Sequence, residues 1–168
     1  MKYLRLNSQQ GFTLMEVLVA FMILSIGLIG LAGLQLTGVK NGRDAYYRTQ
    51  AIILGYDITD RMRANITGVT AGNYNAIGGS ATSNCRNTTG CTAAQLAADD
   101  VALWRASVSA KLPAGEAIVC RDSSPGDGTS FSSPACDNSG SVYVSKVWWD
   151  SDRDPSTDDA LLSTVFIP

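Results

Sequence analysis

Apolar residues run almost without interruption from Phe12 to Val39, and from Asp44 onward they become spaced. Between Arg5 and Lys40 the only charge is Glu16. As a helix, residues 12–39 would extend for roughly 42 Å at ~1.5 Å per residue, and a bilayer core needs about 30 Å. The run is too long and too uniformly apolar for the buried helix of a soluble domain, and it predicts a transmembrane segment. A secretory signal peptide has a shorter apolar region, about 7–15 residues, followed by a small-residue cleavage site. Here Gly27, Gly30, Ala32 and Gly33 are spread through the run, which continues past them. From Asp44 to Asn65 the helix is expected to continue. Tyr47, Ala51, Leu54, Ile58 and Met62 are spaced four, three, four and four. That spacing makes one apolar stripe, with Arg48, Asp57, Asp60, Arg61 and Arg63 on the polar side.

The remainder changes period. Thr67 to Thr92 is rich in Gly, Asn, Ser and Thr and reads as a long loop. Ala93 to Leu112 reads as a helix: Leu96, Val101, Leu103, Trp104, Val108 and Leu112 supply apolar surface, and Gln95, Asp99, Asp100, Arg105 and Lys111 the polar side. Pro113 and Gly115 stop it, and Trp104 belongs to the core. Three strands follow, at Glu116 to Cys120, Ser141 to Trp149 and Leu161 to Ile167. The second alternates imperfectly, Val142, Val144 and Val147 against Tyr143, Ser145 and Lys146. Turn-rich stretches, Ser123 to Gly140 and Asp150 to Asp159, separate them, which predicts an antiparallel meander. The fold class is α+β, with a long N-terminal helix, a second helix and a small antiparallel β-sheet.

An acid inside an apolar span costs upward of ~2.5 kcal/mol at a helix centre, so Glu16 marks a functional position. It sits in Gly11-Phe12-Thr13-Leu14-Met15-Glu16-Val17-Leu18-Val19-Ala20, behind a short leader carrying Lys2 and Arg5. That stretch resembles the type IV prepilin motif, and the resemblance covers the first quarter of the chain. It implies the type IV pilin fold, the long helix half transmembrane and packed on the sheet. It implies a membrane prepilin peptidase cutting between Gly11 and Phe12, and methylation of the new amine on Phe12. Glu16 then falls at the fifth mature position, where it could meet the amine of Phe12 on a neighbouring subunit during assembly. The segments implied are a leader (1–11), a transmembrane and assembly helix (12–39), its amphipathic continuation (40–66) and a periplasmic globular domain (67–168). Lys40 and Arg43 follow the span as Lys2 and Arg5 precede it, so charge alone does not orient the chain. The resemblance implies a single pass through the inner membrane, with the N-terminus cytoplasmic. It also implies a minor pilin, with other minor pilins, the major pilin and a tip adhesin as partners. A minor pseudopilin of a type II secretion system and a DNA-binding competence pilin share the motif and stay open. Gly27, Gly30, Gly33 and Gly38 read either as a close-packing surface or as a weak stretch of helix, since an internal Gly costs ~1 kcal/mol relative to Ala.

Composition narrows the chemistry. The chain has no histidine, which removes Ser-His-Asp and Cys-His catalysis and the common zinc-hydrolase sites. No catalytic constellation, cofactor site or metal site is expected. The net charge is −2 and the sequence pI about 4.9. Basic residues are scattered, without the patch expected of a duplex-DNA binder, so no nucleic-acid partner is expected. Asp150, Asp152 and Asp154 begin like a calcium loop, but Pro155 takes the glycine position and Leu161 the bidentate glutamate position, so the stretch reads as a turn. Asn65-Ile66-Thr67 and Asn87-Thr88-Thr89 match the short glycosylation pattern. Cys85, Cys91, Cys120 and Cys136 lack the tight pairs of a metal site and suit disulfides in an exported domain. Three connectivities are possible. Sequential pairing, Cys85–Cys91 and Cys120–Cys136, is preferred, and the second bond would be worth up to ~3 kcal/mol in the chain-entropy picture.

Overall fold

The computed structural model describes residues 11–151 and 160–168. The leader charges Lys2 and Arg5, and the acids Asp152 and Asp154, lie outside the described residues. The elements in order are α1 (Leu14–Ala64), α2 (Ile66–Thr70), a 3-10 turn (Ser83–Arg86), α3 (Ala93–Lys111), β1 (Glu116–Arg121), β2 (Tyr143–Trp149) and β3 (Ala160–Phe166). The chain divides into two compact units, Met1–Gly42 and Arg43–Pro168.

The described part of the first unit is helix from Leu14, and every residue from 11 to 43 is exposed. Gly27, Gly30, Gly33 and Gly38 sit in unbroken helix, and a Cβ added at any of them would meet nothing among the described residues within 4 Å.

In the second unit the stripe Tyr47, Ala51, Leu54, Ile58 and Met62 is buried. It shares one core with Ala97, Val101, Trp104 and Val108 of α3 and with the inner face of the sheet. Each such aliphatic or aromatic side chain contributes about 1.5–3 kcal/mol on full burial. Trp104 also donates its indole N–H to the Leu54 carbonyl oxygen at 2.8 Å, which pins α3 to α1. Thr92 caps α3: its hydroxyl accepts the Gln95 amide at 3.2 Å, and the Gln95 side chain accepts the Thr92 amide at 2.9 Å. α3 ends before Pro113. Gly115 then turns the chain into β1, where a Cβ would collide with the Val108 carbonyl oxygen.

The sheet is antiparallel in the order β1-β2-β3. Val119, Ser145 and Thr164 align across it, as do Ala117, Val147 and Leu162. The outer edge of β1 is not bare: Val119 accepts the Ala76 amide at 2.8 Å, and Asn75 accepts the Arg121 amide at 2.8 Å.

Two expectations are corrected. The second strand was to alternate, yet all seven residues of β2 are buried. Tyr143, Val147 and Trp149 join the core shared with the helices, and by alternation Val144, Lys146 and Trp148 take the other face, where residues 122–134 fold back over Lys146. A central strand covered on both faces loses its alternation. Lys146, wholly buried, is held there by Asp122 Oδ2 at 2.5 Å, Asp127 Oδ1 at 2.7 Å and the carbonyl oxygens of Pro134 at 2.7 Å and Asp127 at 3.0 Å. The stretch 67–92, expected as plain loop, contains the end of α2 and the 3-10 turn and is tied to α3. Ala98 O accepts the Ser80 amide at 2.9 Å, Gly78 O accepts from Arg105 Nη1 at 2.8 Å, and Asp99 Oδ1 accepts the Thr82 amide at 2.6 Å.

Gly55 sits where α1 meets β3; a Cβ there would run into the Thr164 side chain. Gly55→Val is therefore expected to destabilise the fold by about 1–3 kcal/mol through overpacking. Adding Thr164→Ala should recover part of that loss, as read by denaturant unfolding of the detergent-solubilised chain.

Candidate assembly site

Thr13 stands just before α1. Its hydroxyl accepts the Glu16 amide at 3.3 Å, and its carbonyl oxygen accepts the Glu16 and Val17 amides at 3.1 and 3.3 Å. Thr-x-x-Glu is a helix-start signature that sequence reasoning passed over. Glu16 lies in the first turn, where its carboxylate also faces the positive end of the helix dipole. Phe12 and Glu16 line one shallow groove with Val17, Ala20, Phe21 and Leu24. Phe12 is 83% exposed and Ile29 74%. Among the described residues no ion pair reaches the Glu16 carboxylate. A surface this apolar is stable only against lipid or other apolar helices.

A second exposed stripe lies on residues 43–64 of α1. Tyr46, Ile53 and Tyr56 are each at least half exposed. With Thr49 they recur at three, four and three residues, parallel to the buried stripe. Sequence reasoning found only the stripe that became core, because both have the same period.

The far end of α1 is held by a polar interior. Asn65 N-caps α2 by accepting the Gly68 amide at 3.2 Å, and its Nδ2 donates to Tyr74 Oη at 3.2 Å and to Ala93 O at 2.8 Å. Tyr74 donates to Asp100 Oδ2 at 2.6 Å. Arg61 reaches Asp57 at 3.1 Å and Asp100 at 3.5 Å. Burial first, and then the bond to Asp100, push the Tyr74 hydroxyl well above its ordinary pKa. Arg61 is lowered by burial, but its bonds to Asp57 and Asp100 outweigh that and leave it raised. Two expectations change here. Asp99 and Asp100, expected on a solvated face, are buried, because Tyr74, Arg61 and the Thr82 amide partner them. Asn65 is buried with its amide engaged, so it is no exposed acceptor for a glycan.

The two cysteine pairs in the structure are Cys85–Cys91, with Cα atoms 4.9 Å apart, and Cys120–Cys136, at 6.1 Å. Beside the second, Asp137 accepts from the Ser123 hydroxyl, from the Ser123 amide at 3.2 Å and from the Ser139 amide at 2.8 Å. The Ser123 hydroxyl above all, then these amides, pull its carboxyl down to about 2.

Residues 33–102 match the family described as Tt1218-like, type IV pilin Tt1218, and residues 6–32 match the prokaryotic N-terminal methylation motif. The two matches support a type IV pilin. The pilin fold agrees: a long N-terminal apolar helix, a second helix and a three-stranded antiparallel sheet. A pilin with this motif is a component of a pilus or pseudopilus. No curated protein and no solved structure matches the chain.

Two outcomes follow from the polar groups. Tyr74→Phe leaves Asp100 Oδ2 without its short donor and is expected to cost about 1–3 kcal/mol in chemical unfolding. A carboxyl with a depressed folded-state pKa contributes stability above its unfolded pKa and loses it as pH falls through the folded one. An NMR titration of Asp137 should therefore place its midpoint near 2, and Ser123→Ala should move it back up; a midpoint indifferent to Ser123 would count against this account.

Proposed function

We propose that the chain is a minor type IV pilin that works by packing into a pilus, with no turnover. The observation that carries this is an N-terminal methylation motif opening directly onto an exposed apolar run, residues 12–39, whose only acid is Glu16. In this reading prepilin peptidase cuts after Gly11 and methylates Phe12. The helix anchors the subunit in the inner membrane with the N-terminus cytoplasmic and the C-terminal domain periplasmic. Its segments are then those of the resemblance, with the break after residue 39 close to the compact-unit boundary at Gly42. The apolar run from Val17 to Gln35, followed by Ala51 to Asn65, resembles the type IV pilus modification protein PilV, which favours a minor pilin of a pilus over a secretion pseudopilin.

Assembly exchanges lipid for neighbouring helices. The Glu16 carboxylate is poorly solvated in lipid, and the Phe12 amine of a neighbouring subunit offsets its charge. The exposed stripe Tyr46, Ile53 and Tyr56 offers neighbours a further apolar surface in the second unit. Partners under this reading are the other minor pilins, the major pilin and a tip adhesin.

Mass spectrometry of the native protein tests processing: the mature N-terminus is expected at Phe12, carrying one methyl group. Glu16→Ala is expected to leave membrane insertion unchanged and to cut recovery in sheared pili by about tenfold, the equivalent of ~1.4 kcal/mol of assembly energy. Equal recovery of variant and wild type would remove Glu16 from the assembly step.

A further inference from the structure

Lysine is seldom wholly buried, and β2 places one in the middle of the sheet's outer face. Among the described residues its ammonium bonds to groups of the segment that covers it: the Asp122 and Asp127 carboxylates and the carbonyl oxygens of Asp127 and Pro134. The same segment is tied at its base by Cys120–Cys136. Cys120 ends the part of β1 that lies beside Val144, one pleat from Lys146, and Cys136 follows Pro134 by two residues. Asn138 reinforces the tie by donating its amide to Arg121 O at 3.0 Å. Gly128, at φ +96°, passes so close to Pro134 that a Cβ there would strike its carbonyl oxygen. Lysine burial and the disulfide thus depend on one loop conformation.

We propose that Cys120–Cys136 and the Lys146 ammonium form a coupled redox latch. Oxidation of the two thiols closes residues 122–142 over the sheet and cages the lysine; reduction opens the segment and returns Lys146 to water. Closure proceeds by thiol–disulfide exchange. The two cysteines give up two electrons and two protons to a disulfide oxidant, which leaves as a dithiol, and one S–S bond forms as another breaks. Opening by dithiothreitol is the reverse: the reagent closes to its cyclic disulfide and the cysteines gain two hydrogens. The coupling lets the oxidation state of the compartment decide whether this face shows a polar loop or a bare Lys146. The inference holds for a pilus or a pseudopilus subunit alike.

Coupling of two equilibria is reciprocal, and that supplies the test. The detergent-solubilised full chain carrying Cys85→Ser and Cys91→Ser isolates the second disulfide. Amine labelling with an acetyl N-hydroxysuccinimide ester, read by peptide mass spectrometry, uses exposed Lys111 as reference. Oxidised, Lys146 is expected to label at least about tenfold more slowly than Lys111; reduced, to approach its rate. In the other direction, Lys146→Met is expected to shift the dithiothreitol equilibrium of Cys120–Cys136 about tenfold toward the dithiol, or about 30 mV. Asp127→Asn, at the half-exposed end of the cage, should shift it the same way by less. The proposal fails if Lys146 stays protected after reduction, if it labels as fast as Lys111 in the oxidised chain, or if neither substitution moves the equilibrium.

Discussion

Burial of Tyr47, Ala51, Leu54, Ile58 and Met62 is the contact on which the second unit depends. α3 has no other long partner for Trp104, whose ring fills the space beside this stripe and whose N–H ends on the Leu54 carbonyl oxygen. β3 reaches α1 only because Gly55 has no side chain opposite Thr164. Take the stripe away and the inner face of the sheet, with Tyr143, Val147 and Trp149, would lie open to water. The stripe therefore fixes where α3 and the sheet sit, and with them the register of β1, β2 and β3.

What the sequence made legible follows from period. The four-three-four-four spacing of the stripe is a helical period, and the run from Phe12 to Val39 has no polar face at all, so both parts of α1 could be read directly. Pro113, Gly115 and the turn-rich stretches likewise bounded α3 and the three strands to within two residues. The failures share a cause. Asp99, Asp100 and Lys146 were read as surface because charged residues usually are. Each is buried instead by partners distant in sequence: Thr82 and Arg86 for Asp99, Tyr74 and Arg61 for Asp100, Asp122 and Asp127 for Lys146. Periodicity reports the neighbours on one element; it carries nothing about a loop that returns to cover it. At the assembly end, Gly11, Phe12 and Glu16 were legible because local order carries the signal. The second exposed stripe was not, since burial alone separates it from the first.

The buried charges are held to different degrees. A buried ion pair is weak evidence of stability, because desolvation offsets most of the attraction. Lys146 still sits above its ordinary pKa: burial lowers it, and the bonds and charges of Asp122 and Asp127 more than restore it. Its value to the fold is specificity. An ammonium with four oxygen neighbours accepts one loop conformation and penalises the rest, whereas an apolar side chain there would tolerate several.

The first unit poses the opposite problem, a helix with no partner among the described residues. Phe12 is 83% exposed and Ile29 and Leu34 are each 74% exposed, so nothing among the described residues stabilises that surface. Only something outside it can, either acyl chains or the same surface on another subunit. Between those two, dispersion and hydrophobic terms differ little, since lipid is as apolar as leucine. The difference must come from groups lipid cannot satisfy, and along residues 12–39 the only side-chain charge is Glu16. Under the proposed processing after Gly11, a single carboxylate near the helix start is the group that would bias a nearly balanced exchange toward assembly, with the Phe12 amine of a neighbouring subunit as its counter-charge.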